Sequence, residues 1–455
     1  MRTSVCAAIA LWTLWNAAGC TASAEDVRPP PDQLAFPTGI AVSPDETSLF
    51  VVNANSELRY DSGSVGVIDL ATVQGVIDAW TSSSASIPSG CSQDPDHSET
   101  LICDEARFFR ANAGVRIGNF ATGIAMQDFA AAGATGLRLF IPTRGDPSVA
   151  WADFDGTNLR CTAGSDTYAL CDDAHRLTSL NNNPDLAVLP GEPFGVFADA
   201  TNGFAMVTHL VTGAVTLINS QANNSDVEIV DIVNNAFAPD LITGLAGATS
   251  VAGRDPTRSG DVIYVGSNTE DRIQTFTVGS RDGAASYLLA STFFFLDAVG
   301  TGAGNSSDTR GMQFSADGNR LYLVNRLPPS LTVYDTSLGS TGSPRNAPVG
   351  ASDICREASS TAVLDTGAGE RVYVTCFLDG QVYVVDPTGQ SQVEDIISVG
   401  RGPYAAAVVT GKNTGGKKQL FVSNFLEDTI AVIDLTIDSS RRNRVVLRIG
   451  TPRAP

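Results

Sequence analysis

A hairpin pattern that recurs seven times along the chain limits the possible folds more than any other feature. Each copy has two apolar runs of strand character, and each run ends in a short residue, nearly always a polar one. In the last copy, QLFVSNFLEDTIAVIDL, these residues are Asn424 and Asp434. The first run ends, copy by copy, at Asn53, Thr143, His209, Asn268, Asn325, Cys376 and Asn424. The second run ends at Asp69, Asp153, Asn219, Thr277, Asp335, Asp386 and Asp434. Because seven equivalent positions cannot all form one active site, we expect these residues to bond neighbouring backbone groups at strand ends.

Each hairpin has one further strand-like segment on either side. A glycine-bearing segment such as FPTGIAVS or TRGMQFS precedes it, and an apolar segment such as VEIVDIV or YLLASTFFFL usually follows it. Four strands in each of seven units indicate an all-β fold, a seven-bladed β-propeller of four-stranded antiparallel blades. A closed ring of blades leaves only short, protected sheet edges. Six or eight blades remain alternatives, and no window has the sustained 3.6-residue periodicity of a long helix.

The repeated unit P-x-G-I-A-V-S-P-D, L-F-V-V-N, S-V-x-V-I-D-L resembles the YVTN repeat of bacterial seven-bladed β-propellers. The resemblance covers residues 36–452 and is strongest in blades one, five and seven. It implies the propeller fold but says little about activity. The family includes exported proteins of unknown function, surface-layer-associated proteins and, more distantly, lactonase-like propellers.

The N-terminal segment is typical of a secretory signal. One basic residue precedes an apolar run, Val5 to Trp15, that is too short to span a bilayer. The sequence Ala17-Ala18-Gly19-Cys20 resembles a bacterial lipobox without its usual leucine, whereas Ala22-Ser23-Ala24 fits ordinary signal cleavage. We favour the first interpretation, which predicts a signal peptide at 1–19, a lipidated Cys20, a tether at 20–34 and one propeller domain at 35–455. An insertion at about 71–106 would lengthen blade one.

Six cysteines remain in the predicted mature domain, and they lie in neighbouring pairs. An exported chain favours disulfides, and proximity favours sequential pairing among the 15 combinations that six cysteines allow. The predicted bridges join Cys91 to Cys103, Cys161 to Cys171 and Cys355 to Cys376. For the third bridge, the start of one antiparallel strand faces the end of the next.

Two clusters have residue types that can hold a metal ion. Residues of the acidic loop fall at the ligand positions of an EF-hand-like calcium loop: Asp94, Asp96, Ser98, Thr100, Ile102 and Glu105. However, Glu99 replaces the turn glycine, so we interpret the segment, with His97, as a solvated acidic loop. Asp172, Asp173 and His175 are interpreted as polar residues of a stapled turn. We therefore predict no metal site and no cofactor, with calcium in the acidic loop as the alternative.

The variable positions of the repeat are the best candidates for a ligand site. The residue before the first-strand glycine, or its equivalent, differs from blade to blade: Thr38, Thr122, Phe194, Thr249, Arg310, Ser359 and Tyr404. In propellers, the loops here meet at the channel mouth, together with Glu192, Asp308, Arg356, Glu357 and Arg401. We predict a site for a small polar or anionic ligand at Phe194, Arg310, Glu357, Arg401 and Tyr404. The alternative is that the charges pair with one another and close the mouth.

The formal net charge of −20 opposes binding to nucleic acid or to an anionic membrane surface. We expect the chain to meet the membrane only through its lipid anchor, in the periplasm or at the outer membrane, and to be a monomer. Its predicted role is non-catalytic binding of a protein, glycan or small molecule, and the chain has no G-x-S-x-G, H-E-x-x-H or P-loop motif. A lactonase-like hydrolase acting on a sugar lactone is the alternative. A quinoprotein-like electron-transfer subunit is a third interpretation, weakened by the absence of haem motifs.

Overall fold

The computed structural model describes residues 27–82, 86–222, 225–254, 261–296, 308–389 and 391–453. The predicted signal peptide and Cys20 lie outside these residues. The first fifteen strands are β1 (Pro37–Val42), β2 (Ser48–Asn53), β3 (Gly63–Asp69), β4 (Cys91–Gln93), β5 (Leu101–Cys103), β6 (Val115–Ile117), β7 (Ala125–Asp128), β8 (Leu137–Thr143), β9 (Ser148–Phe154), β10 (Leu159–Arg160), β11 (Arg176–Leu177), β12 (Pro193–Asp199), β13 (Phe204–His209), β14 (Val215–Asn219) and β15 (Glu228–Val233).

The second half of the chain continues the same succession of strands. They are β16 (Ala248–Gly253), β17 (Ile263–Ser267), β18 (Arg272–Arg281), β19 (Ala284–Phe295), β20 (Thr309–Phe314), β21 (Arg320–Arg326), β22 (Pro329–Asp335), β23 (Ala347–Asp353), β24 (Ala358–Asp365), β25 (Glu370–Cys376), β26 (Gln381–Asp386), β27 (Gln392–Ser398), β28 (Pro403–Val409), β29 (Gln419–Asn424), β30 (Thr429–Asp434) and β31 (Arg444–Ile449). The described helices are α1 (Leu70–Thr81) and the 3-10 turns Glu105–Arg107, Phe129–Ala132 and Asp173–His175.

These strands form seven sheets, which confirms the predicted seven-bladed propeller. Blade one contains β1, β2, β3 and β6, blade two contains β7 to β11, and blades three to six take four consecutive strands each. Blade seven contains β28 to β31 together with β4 and β5. The first strands of neighbouring blades contact one another, as β1 does β28 and β20 does β24, so these strands surround the central channel.

The hydrophobic core lies between adjacent blades, because the second strand of each blade is buried on both faces. In β2, Leu49 and Val51 pack towards blade seven, in the same cluster as Phe421. The alternate residues Phe50 and Val52 pack towards blade two. Successive side chains of a strand point to opposite faces, so a continuous apolar run fits a blade that has a neighbour on each side.

The polar residues at the strand ends have the structural role that the repeat predicts. In five blades, the residue that ends the second strand bonds a hydroxyl group on the third strand. The pairs are Asn53 with Ser64, Thr143 with Ser148, His209 with Thr216, Asn325 with Thr332 and Asn424 with Thr429, at 2.7–3.1 Å. In blade four the equivalent residue is Ser267, and the prediction of Asn268 was wrong. Ser267 pairs with Ala248 at the start of the first strand, as Asn424 pairs with Pro403 in blade seven.

The aspartates that end the third strands stabilise the turns that follow. The carboxylates of Asp335, Asp386 and Asp434 each accept a hydrogen bond from the backbone amide two residues later, at 2.8–2.9 Å. Asp69 caps α1 by accepting from Thr72 N at 2.8 Å. These bonds satisfy backbone donors where strand pairing ends.

His209 gives the fold a measurable pH dependence. Its ring is fully buried, and burial lowers the pKa of the imidazole to about 4. Between pH 6.5 and 4 the unfolded chain binds a proton at this residue and the folded chain does not. Stability should therefore fall with falling pH, by about 3 kcal/mol over this window.

The matched variant is His209→Asn, because asparagine occupies the equivalent position in three other blades. Denaturant unfolding at several pH values should show that the wild type loses more stability than the variant between pH 6.5 and 4. The comparison cancels contributions from carboxylates such as Asp199, whose pKa is raised by burial to about 6. Parallel stability curves for the two proteins would contradict the assignment.

The insertion of blade one closes the ring, which the sequence did not predict. Helix α1 buries Leu70, Val73, Val76 and Ile77 in the core that blades one and seven share. The hairpin β4–β5 then joins blade seven, where β5 pairs in parallel with β31. Thr100 Oγ1 donates to Val445 O at 2.6 Å. The expectation of no long helix holds, since α1 has only twelve residues, although its apolar residues recur every three or four positions.

All three predicted disulfides are present. Cys91 is bonded to Cys103, Cys161 to Cys171 and Cys355 to Cys376. The first bridge joins two residues that lie directly opposite each other in the hairpin β4–β5. The third bridge joins the end of β25 to the residues before β24, as the antiparallel arrangement predicts.

Candidate functional site

The first strand of nearly every blade contains an irregularity at its channel end. In blades one, three, four, five, six and seven, the pairing with the second strand skips one or two residues of the first strand there, so that the first strand has one residue more than the strand opposite it. The skipped residues are Thr38, the pair Phe194 and Gly195, the pair Thr249 and Ser250, Arg310, Ser359 and Tyr404. A bulge re-aims a side chain out of the regular pleat. The variable positions of the repeat are therefore the positions at which a bulge changes the direction of the side chain.

The residue two places before the variable position makes the same turn in six of the seven blades. Its backbone is left-handed at Phe36, Phe120, Glu192, Asp308, Glu357 and Gly402, with φ between 42° and 68°. Its carbonyl accepts a hydrogen bond from the amide that follows the second strand, as in Arg144 to Phe120 and Arg326 to Asp308, at 3.1 and 3.2 Å. Side chains disfavour left-handed backbone, so carboxylates at three such positions mark a locally strained rim.

Small residues follow the variable position in every blade. They are Gly39, Gly123, Gly195, Ser250, Gly311, Ser360 and Ala405. At Gly195, a Cβ atom would overlap the carbonyl of Thr249 on the next blade. The small residues let neighbouring first strands approach closely, so the channel is narrow below its mouth.

Four of the variable residues hold neighbouring blades together. The hydroxyls of Thr38, Thr122, Thr249 and Ser359 each donate to a backbone carbonyl of the next blade. The other three variable residues are the large side chains Phe194, Arg310 and Tyr404, on blades three, five and seven. The variable position thus has a structural role in four blades. In the other three blades its side chain can contact a ligand.

These three side chains line a cavity of about 440 Å³ at the channel mouth. Two more arginines line the same cavity: Arg144, directly after β8, and Arg326, the last residue of β21. The guanidinium of Arg310 lies over the Phe194 ring, 5.6 Å from its centroid. The cavity therefore combines three guanidinium groups with two aromatic rings.

Each of the three arginines is paired with a carboxylate of the strained rim. Arg310 Nε lies 2.6 Å from Asp308 Oδ1, Arg326 Nη1 lies 2.7 Å from Glu357 Oε2, and Arg144 pairs with Glu192. The described cavity lining includes the three arginines but none of these carboxylates. The positive ends of the pairs consequently face the cavity.

The positive charges act on the phenol of Tyr404. Burial raises the pKa of this phenol, and the charges of Arg310, Arg144 and Arg326 oppose that rise. Burial and the neighbouring Arg310 lower the pKa of Arg326. Three cations thus influence one phenol while each keeps a carboxylate partner. An anion in the cavity could accept further hydrogen bonds from their guanidinium groups.

The structure brings three of the five predicted site residues together in the cavity lining, and a fourth lies beside it. Phe194, Arg310 and Tyr404 line the cavity, and Glu357 contacts it through Arg326. Arg401 points elsewhere, since its guanidinium donates to the carbonyls of Leu426 and Arg453. Arg144 and Arg326 were not predicted, although each directly follows a strand-end residue of the repeat, Thr143 or Asn325, and the repeat alignment could have identified them.

The histidine and acidic clusters of the sequence lie away from this cavity and have local partners. His175 Nδ1 lies 2.6 Å from Asp172 Oδ1, and its ring stacks on Trp151. Asp94 accepts hydrogen bonds from the amides of Asp96 and His97 within the β4–β5 hairpin. Among the described residues, no group of three or more potential ligands is arranged to hold a metal ion.

Comparisons at the level of sequence identify no relative of this chain. No model of a protein family and no curated protein matches the chain. Membership of the YVTN-repeat family therefore stays a prediction.

Solved structures do resemble the chain over most of its length. A protein from Lactobacillus plantarum has a TM-score of 0.54 at 14% identity, covering 86% of this chain and 92% of its own. Hydrazine synthase of Kuenenia stuttgartiensis has a TM-score of 0.51 at 13% identity, covering 91% of this chain and 98% of its own. The periplasmic gluconolactonase of Pseudomonas aeruginosa has a TM-score of 0.48 at 14% identity, covering 92% and 87%. At these identities, the TM-scores above 0.5 of the first two structures show a shared fold and no more.

Proposed function

We propose that the chain is an exported binding protein that holds a small anionic ligand at the channel mouth without transforming it. The observation that carries the proposal is the convergence of Arg144, Arg310 and Arg326 on one cavity, with their carboxylate partners outside the lining. Guanidinium groups recognise carboxylates and phosphates through paired, charge-assisted hydrogen bonds. The ligand class is therefore a small molecule that carries a carboxylate or a phosphate.

The size and the aromatic residues of the cavity narrow this class further. A volume of about 440 Å³ is within the range of pockets for small molecules. Phe194 and Tyr404 offer ring faces on which a planar group or a sugar ring can pack. A sugar acid or a sugar phosphate combines both requirements.

Hydrolysis of a sugar lactone is the alternative function of the same site. An arginine could stabilise the oxyanion that forms during attack on the lactone carbonyl. The reaction also needs a general base, and the described lining contains no carboxylate or histidine. Glu192, Asp308 or Glu357 would have to leave its ion pair to act as that base. This requirement favours binding without catalysis.

Export and anchoring form the second part of the proposal. Three disulfides in a chain of this size are typical of an oxidising compartment. Within the described residues, no helix has the length and apolar character needed to cross a membrane. We propose that the protein resides in the periplasm or at the outer membrane and is attached through a lipid on Cys20. Mass spectrometry of the mature N-terminus tests this, and an unmodified start at Glu25 would contradict the anchor.

Calorimetric titration of the mature chain with gluconate, 6-phosphogluconate, citrate and inorganic phosphate tests the binding function. Arg310→Ala should weaken binding of the best ligand at least about tenfold, because a hydrogen bond to a charged group contributes about 1.5–3 kcal/mol. Arg345→Ala is the matched control, since Arg345 lies on the same blade but is exposed and pairs with Asp335. Binding that is unchanged in an Arg310→Ala, Tyr404→Ala double variant would remove the hypothesis.

A parallel assay with gluconolactone, with and without added calcium, separates the two functions. The binding function predicts hydrolysis no faster than the spontaneous rate. Hydrolysis above that rate, lost in Arg310→Ala but kept in Arg345→Ala, would establish the lactonase alternative instead.

A further inference from the structure

The loops at the channel mouth carry exposed apolar side chains. In the antiparallel blades a second strand ends where the first strand begins, so the loop from the second strand to the third lies on the mouth side. Five of these seven loops present a leucine or valine that is 36–61% exposed: Leu58, Val211, Leu327, Leu378 and Leu426. A single exposed apolar residue is ordinary, but its recurrence at one end of five blades forms a shared surface.

The connection between blades three and four adds two more apolar side chains to this end. It joins β15 to β16 and lies on the mouth side, because Ala246 N donates to Val211 O at 3.1 Å. At its tip, Leu241 is fully exposed and Ile242 is 93% exposed. The tip is a defined turn, since Asp240 Oδ1 accepts a hydrogen bond from Ile242 N at 3.0 Å. A hydrogen-bonded turn therefore holds both side chains in the solvent.

The opposite end of the propeller has no comparable set. In its described short turns, outside the insertion of blade one and the cross-linked loop of blade two, the exposed large apolar side chains are Leu338 and Ile437, at 36% and 38%. We call the mouth-side residues the apolar ring: Leu58, Val211, Leu241, Ile242, Leu327, Leu378 and Leu426. The two ends of the molecule thus offer different surfaces to an apolar partner.

We propose that the apolar ring docks the propeller on a neutral lipid surface, with the channel mouth facing the bilayer. The inference rests on the lipid at Cys20 proposed above. Val27, the first described residue, lies at this face, because its carbonyl accepts a hydrogen bond from Asp61 N in the mouth-side loop of blade one, at 2.9 Å. Cys20 precedes Val27 by seven residues. Seven residues span at most about 25 Å, so the anchor holds this side of the mouth within that distance of the lipid.

The charge of the chain selects the kind of lipid surface. A net charge of −20 opposes an anionic surface, whereas zwitterionic headgroups carry no net charge to repel it. Docking then depends on the apolar area that enters the boundary between headgroups and acyl chains. Leu241 and Ile242 have the most area to bury, because they are the most exposed residues of the apolar ring. The proposal adds a second membrane contact to the expected lipid anchor.

A dissolved ligand can still reach the cavity of a docked chain. The mouth-side loop of blade two, residues 144–147, contains Arg144 and Asp146 and contributes no residue to the apolar ring. The apolar ring is therefore interrupted at blade two, and Arg144, which lines the cavity, lies at the gap. Docking on lipid is thus compatible with binding of a small anion at the channel mouth.

Tryptophan fluorescence on phosphatidylcholine vesicles tests which face docks. The mature chain is coupled through the Cys20 thiol to a maleimide lipid, so the result does not depend on the natural lipid. In Ile242→Trp, brominated phosphatidylcholine should quench the added fluorescence at least about twofold, because this position enters the lipid. Ile437→Trp is the matched control at the opposite end, and its fluorescence should not change. Mass spectrometry of the natural N-terminus separately reports a failure of the anchor.

A second reporter tests whether the apolar ring docks as a unit. Leu378→Trp, on blade six of the same coupled chain, should also be quenched. Adding Leu241→Asp and Ile242→Asp should remove most of that quenching, whereas adding Leu338→Asp and Ile437→Asp should leave it intact. Absence of quenching in both Ile242→Trp and Leu378→Trp would exclude a lipid surface as the occupant and overturn the proposal. Equal quenching in Ile242→Trp and Ile437→Trp would overturn it as well, because no face would then be preferred.

Discussion

Replacing Glu427 with glutamine is expected to destabilise the folded chain by about 3–5 kcal/mol, because it leaves a buried arginine without a counter-charge. Glu427 pairs with Arg448, and the two side chains are only 6% and 9% exposed. Arg448 Nη1 also donates to Val399 O at 2.9 Å, which ties the pair to the connection between blades six and seven. Glu427 further accepts from the amide of Arg401 at 3.0 Å.

Denaturant unfolding of two further variants separates the charge effect from a packing effect. The double variant Glu427→Gln, Arg448→Met removes both charges and should recover most of the lost stability. Glu57→Ala removes the partner of Arg59 in an exposed pair and should cost less than about 1 kcal/mol. A loss of less than about 1 kcal/mol in Glu427→Gln would show that the buried pair is not what stabilises this blade.

Removing the disulfide between Cys91 and Cys103 is expected to destabilise the chain more than removing the one between Cys161 and Cys171. The two bridges span 12 and 10 residues, so the entropy of the unfolded chain predicts nearly equal losses, each of about 3 kcal/mol. The first bridge also keeps β5 in the hairpin that pairs with β31 of blade seven. Its loss should loosen the closure of the ring as well.

The measurement compares denaturant unfolding of Cys91→Ser, Cys103→Ser with that of Cys161→Ser, Cys171→Ser. Because the two loops are of similar length, the second variant is a control for the effect on the unfolded chain. Equal losses would mean that the hairpin contributes nothing to ring closure beyond its own cross-link. Thr100→Val, which removes the bond to Val445 O, should show a smaller loss in the same direction.

The propeller fold could be predicted because its unit repeats and its strands pair with neighbours in sequence. The three disulfides could be predicted for a similar reason, since each bridge joins cysteines within one local hairpin or loop. The contribution of the insertion to ring closure could not be predicted. The pairing of β5 with β31 joins residues more than 340 positions apart, and three residues of strand carry no pattern that identifies a distant partner.

The candidate site was only partly predictable. Variation at the variable position of the repeat indicated Phe194, Arg310 and Tyr404 as site residues. Residue type alone, however, cannot show in which direction a bulge points a side chain. Arg401 looked equivalent to the others by composition, yet it bonds the carbonyl of Arg453 near the chain end. In blade four, Asn268 resembled the strand-end marker, but the register of β17 gives that role to Ser267.

The central claim is that the channel mouth is a binding site for an anion. A crystal of the mature chain soaked in selenate tests it most directly, because anomalous scattering locates each bound anion. We expect the strongest peak in the cavity, within hydrogen-bonding distance of Arg310 and of Arg144 or Arg326, and no such peak in crystals of Arg310→Ala. Selenate bound only at outer arginines such as Arg345, with none in the channel, would contradict the account.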